Sequence, residues 1–141
     1  MYLIIFSSNN VGGIFNLKVN SNITFNRITR EQAISIHNIL RSLGLVSSLT
    51  GTRLLNKAIQ ILVVKDLEIV ILEDIYKDIA NSFPNITPSQ TRMYIQYALK
   101  HRDEIKSEKN FKNIFGFEYD EYFFSNKNFI EEIANIIKYE T

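Results

Sequence analysis

At 141 residues and 16.4 kDa, with 45% hydrophobic and 22% charged residues, the chain has the size and composition of one globular domain with a real core, which excludes a disordered polymer. The absence of cysteine excludes a disulfide scaffold, a thiolate zinc site, an iron–sulfur cluster and a cysteine nucleophile. A net charge of +1 supplies no global field for nucleic acid, so any such partner must meet a local patch.

The apolar runs at residues 2–6, 61–64 and 69–72 fall far short of the roughly 18 residues of a membrane span. The N-terminus lacks the basic flank and small-residue cleavage site of a secretory signal, and the expected location is the cytoplasm.

Residues 1–27 read as strand: an apolar start, a turn-rich stretch through Gly12 and Gly13, then Phe15, Leu17 and Val19 alternating with polar residues. Asn20, Ser21 and Asn22 can turn the chain into Ile23 and Phe25. The expectation is a short β-hairpin-like segment that needs a neighbour for its apolar side, either the helices or a second copy in a homodimer.

From Thr29 the period becomes helical, and the fold class expected for residues 28–141 is mainly α. Thr29 and Gln32 form a capping-box pattern ahead of Ala33, Ile36, Leu40 and Leu43, and Gly44 stops the helix. A second helix is predicted from Thr52 to about Val64, and a third from Asp66 or Val70 to Phe83. Pro84 and Asn85 then break the chain. Thr87, Pro88 and Gln90 make the sharpest start signal in the sequence: a hydroxyl cap, a proline at the first helical position and an amide three residues after the cap. A short helix is predicted over residues 108–114, and a last one capped by Ser125 with an apolar stripe of Phe129, Ile130, Ile133, Ala134 and Ile137.

Charge is uneven along the chain: residues 1–65 sum to +6, 66–86 to −4, 87–116 to +3 and 117–141 to −4. Solvated helix faces account for such runs, and so does a basic side that includes the second and fourth helices. A helix ending near Phe83, a short break and a capped helix from Thr87 is the pattern of a helix-turn-helix, whose second helix enters the major groove. At 100° per residue Thr91, Ile95, Ala98 and Leu99 fall on its inner side. Ser89, Gln90, Met93, Gln96, Tyr97, Lys100 and His101 then face outward. Glutamine can pair with adenine and methionine can meet a thymine methyl, so this face favours A·T-rich sites.

The ordered set Ile34, Ile39, Leu40, Leu43-Gly44-Leu45, then Gly51, Leu55, Ala58-Ile59, then Ile75-Tyr76, Asp78-Ile79-Ala80, Phe83 resembles the C-terminal effector domain of the master response regulator of sporulation initiation. The likeness continues through Thr87, Ser89, Ile95, Ala98-Leu99, Ile114-Phe115-Gly116-Phe117, Phe129-Ile130 and Ala134, and covers roughly residues 30–139. The resemblance implies a six-helix domain with a helix-turn-helix, sequence-specific binding to promoters and protomers in tandem on double-stranded DNA. Three departures accompany it. Gln90, Met93 and Gln96 stand where the family presents arginines, and Tyr97 replaces a histidine. Ser48 and Thr50 occupy positions of a family His and Lys. The phosphate-accepting receiver domain has no counterpart, which points away from control by phosphorylation.

Each bidentate arginine contact is worth about 1 to 3 kcal/mol of base discrimination, so losing three removes most of a specificity gap of roughly 4 to 10 kcal/mol. The expectation is a DNA-binding regulator with altered base preference. Ser89, Gln90, Met93, Gln96 and Tyr97 are its candidate base contacts, and Arg53, Lys57, Arg92 and Lys100 its candidate phosphate contacts. The alternative is a protein-interaction module or antagonist on the same scaffold, with Met93 and Tyr97 at the contact.

No catalytic set emerges. His37 and His101 read as ordinary surface or boundary histidines, and Gly12-Gly13 lacks the rest of a phosphate loop. The adjacent pairs Glu73-Asp74, Asp103-Glu104 and Glu131-Glu132 diverge by 100° on a helix and read as solvated faces. Tyr119, Tyr122, Phe123 and Phe124 read as core packing between the last two helices. No cofactor and no metal is expected.

Overall fold

The computed structural model describes residues 27–65 and 69–140. The described residues from Glu31 onward form one compact unit, which carries the helical fold. The strand-like reading of residues 1–27 lies almost wholly outside the described residues, among which there is no β-strand.

The six helices are α1 (Arg30–Ser42), α2 (Thr50–Val64), α3 (Leu72–Ser82), α4 (Pro88–Lys100), α5 (Glu104–Phe115) and α6 (Asn126–Lys138), with a short 3-10 helix, Glu121–Phe124, before α6. The hub is α2, which packs against α3, α4 and α6. Its inner face of Leu54, Leu55, Ala58, Ile59 and Leu62 meets Ile95, Ala98 and Leu99 of α4 and Phe129, Ile130, Ile133, Ala134 and Ile137 of α6, all buried. Removing one leucine or isoleucine from water contributes about 1.5 to 3 kcal/mol, so this apolar centre is the main stabilising term.

Three boundaries differ from the sequence expectation, each for a local reason. Helix α2 begins two residues early because Leu49, an extended residue without a side-chain cap, precedes Thr50. Helix α3 begins at Leu72 behind extended Ile71 and stops at Ser82, since Phe83 is already extended. Helix α5 begins at Glu104 rather than Glu108 because Asp103 is its cap, its Oδ1 accepting from the amides of Ile105 and Lys106 at 3.1 and 3.3 Å. The Asp103-Glu104 pair is therefore a cap followed by an acid at the positive end of a helix dipole. Ser125 occupies the predicted position before α6, but its side chain makes no cap hydrogen bond.

Gly44 closes α1 with φ +90°, and any Cβ there would collide with the carbonyl of Asp103. The Asp103 amide donates to the Gly44 carbonyl at 2.8 Å, so the α1 exit and the α5 start are pinned together.

The aromatic residues surround Phe111, whose ring lies 4.5 Å from Phe115, 5.2 Å from Tyr119 and 5.9 Å from Phe124 by centroid. Tyr122 packs edge-on against Phe123 at 5.9 Å between centroids, but it is exposed and lines a surface groove instead of the core.

Candidate nucleic-acid interface

The amino end of α4 is built by three consecutive local decisions. Thr87 is extended, its Oγ1 accepts from the Gln90 amide at 3.0 Å, and the Gln90 Oε1 accepts from the Thr87 amide at 3.0 Å. Pro88 fills the first helical position, where an N–H would have no partner. The turn from α3 passes through Asn85 at φ +67°, a left-handed conformation that asparagine tolerates better than most residues. The two helices are tied again from outside. The Asn126 amide nitrogen donates to the Tyr76 hydroxyl of α3 at 2.9 Å and to the Arg92 carbonyl of α4 at 3.1 Å. Burial pushes the Tyr76 phenol above its ordinary range, against the opposing effect of the Asn126 hydrogen bond.

Helix α4 sits close against α2. A Cβ on Gly51 would overlap the carbonyl of Tyr94, and would lie 2.9 Å from the Cβ of Ala98. Only glycine permits that approach of the two backbones.

The predicted inner residues Thr91, Ile95, Ala98 and Leu99 are buried. The outward residues Ser89, Gln90, Met93, Gln96, Tyr97, Lys100 and His101 are exposed, Met93 and Tyr97 at 55% and 52%. They divide into two stripes at helical spacing. Arg92, Gln96 and Lys100 line one wall of an open groove of about 750 Å³, opposite Leu72 and Glu73 of α3 and Tyr122 and Lys127 beyond. Met93, Tyr97 and His101 form the second stripe, where the Tyr97 and His101 rings stack at 3.8 Å between centroids. Tyr94, also exposed, extends that stripe sideways.

The remaining candidates stand apart from the groove. Arg53 is exposed and lines a separate recess against α1. Lys57 is half-buried one turn later, and burial lowers its pKa from the ordinary lysine value. Gln90 is already committed through its Oε1 to the cap, so a bidentate amide contact to a base would require opening the capping box.

Sequence reasoning missed Arg102. It follows α4 directly, is only 7% exposed, and its guanidinium donates from Nε to Ser107 Oγ at 2.9 Å and from Nη1 to the Leu99 carbonyl at 2.8 Å. Nη2 donates to the Tyr119 hydroxyl at 2.8 Å and to Glu121, while Cζ lies 3.6 Å over the Phe124 ring. The network continues inward through Ser107 Oγ, which donates to the Leu43 carbonyl. Its partners lie 3 to 22 positions away on different elements, so no short sequence window contains the signal.

Among the described residues no cluster of three or more His, Asp or Glu side chains is placed to hold a metal ion, and no helix is long and apolar enough to cross a membrane. No curated protein and no solved structure gives a significant match to the chain. A family model described as the sporulation initiation factor Spo0A C terminal matches residues 36–137, spanning the second half of α1, all of α2 to α5 and nearly all of α6. With its helix-turn-helix of α3 and α4, the chain belongs to the family of the sporulation initiation factor's C-terminal, DNA-binding effector domain.

Proposed function

We propose that this protein is a transcriptional regulator that reads double-stranded DNA with α4, using a base preference different from that of arginine-bearing relatives. The observation that carries the reading is the stripe Arg92, Gln96 and Lys100, three exposed polar side chains one turn apart on the second helix of the motif. Gln96 is the best placed reader of a base edge, with Ser89, Met93 and Tyr97 beside it. Arg92 and Lys100 flank it as phosphate contacts, and Arg53 supplies a further cation. Control independent of phosphorylation is part of this proposal.

A mobility-shift titration of genomic promoter fragments at low salt tests the reading, and no retardation overturns it. Lys100→Ala weakens every duplex about equally and lowers the salt slope by about 1. Gln96→Ala relaxes preference at one base pair by about 1 to 3 kcal/mol. Acetyl phosphate leaves the affinity unchanged.

The exposed Met93, Tyr94 and Tyr97 favour a second reading, in which the same face engages a protein. If promoter fragments are not retarded, a complex co-purified from the host that is lost on Met93→Asp establishes that alternative; a complex that survives removes it.

A further inference from the structure

The first turn of α2 borders a recess of about 170 Å³ between α1 and α2, lined by His37, Arg41, Ser47, Thr52, Arg53 and Asn56 over an apolar floor of Leu40 and Leu45. Thr52 is 7% exposed, and its Oγ1 is a buried hydroxyl oxygen with no hydrogen-bond partner among the described residues. A buried polar atom without a partner costs about 1 to 3 kcal/mol, so a turn of the Thr52 side chain that brings its hydroxyl to a group in the recess is favoured. Electrostatics fixes the sign of that group. The lining contains two arginines and no carboxylate, and α2 has neither a side-chain cap nor an acid in its first turn. Its positive dipole end is therefore neutralised by nothing on its own helix.

We infer that this recess is a binding site for a compact free oxyanion of the phosphate type, held by the Thr52 hydroxyl, Arg41 and Arg53. Size sets the class. At about 30 Å³ per water, the recess has room for a phosphate-sized ion with one or two waters, and it is well below the roughly 300 Å³ at which sites for drug-sized ligands begin. The recess and the α4 groove share no lining residue, and of the residues that hold the ion only Arg53 also serves the DNA reading, so the site stands on the Thr52 hydroxyl and Arg41.

The test is a titration of the full-length, 15N-labelled chain with inorganic phosphate, against chloride at matched ionic strength. The expected result is a saturable shift of the Ser47, Thr52 and Arg53 amides, with at least a fivefold rise in Kd for Thr52→Val. Arg41→Ala, at an exposed position, gives a similar rise and guards against a folding defect in the valine variant. Shifts no larger than those with chloride overturn the site, as does an unchanged Kd in Thr52→Val. A duplex that moves these resonances where phosphate does not also overturns it, and assigns the recess to the DNA backbone.

Discussion

The two ends of α4 are anchored by opposite strategies. Its start is written in four consecutive residues, Thr87 to Gln90, whose side chains satisfy the helix's own free amides. Its end depends on Arg102, whose partners come from α4, α5, the loop at Tyr119 and the 3-10 helix. A local anchor is replaceable piece by piece. A tertiary anchor fails as a unit, because removing one member leaves several buried groups without partners.

That contrast predicts an order of effects. Arg102→Ala is the most damaging change, costing about 3 kcal/mol; this is the low end for breaking a buried ion pair because Glu121 remains largely solvated. Urea denaturation measures it, and a loss as small as that of a surface substitution would remove the tertiary anchor from the account. Gly51→Ala comes next. The added methyl meets the Tyr94 carbonyl, a backbone atom that cannot swing aside, and overpacking of this kind costs about 2 kcal/mol even though alanine is the better helix former. Thr87→Ala removes one half of the capping box and costs about 1 kcal/mol, read as a lowered Tm with the fold intact.

The smallest effect is a pH dependence. The Tyr76 phenol is raised above its ordinary value of 10.0, so its contribution is fully present below about pH 10 and is lost as pH rises through the folded value. Lys57, with a lowered pKa, acts in the opposite sense, its contribution falling as the lysine becomes protonated on lowering the pH. Comparing Tyr76→Phe with the parent isolates the tyrosine: above pH 10 the variant loses stability less steeply, while at pH 7 it differs little because Asn126 keeps its bond to the Arg92 carbonyl.

The same contrast explains what was legible in the sequence. The inner residues of α4 and the Thr87 cap were readable because periodicity and capping act within a few residues. The α6 stripe was readable for the same reason. The early start of α5 was hidden because an Asp-Glu pair looks alike as a cap or as a solvated face until the preceding chain is placed. Arg102 was hidden more deeply, since an arginine after a helix is ordinarily a surface residue and only the converging oxygens of Ser107, Tyr119 and Glu121 bury it. The outward residues were correctly placed, but their division into a groove stripe and an aromatic stripe depends on α3 and the 3-10 helix, which the α4 sequence does not encode.

The near-touching backbones at Gly51 and Tyr94 also constrain mechanics. With no side chain between them to act as a bearing, the hub and its neighbour cannot slide past one another without a steric collision. Slip of α4 along α2 is therefore closed as a way of fitting a target, and any adjustment between these two helices has to come from their exposed side chains.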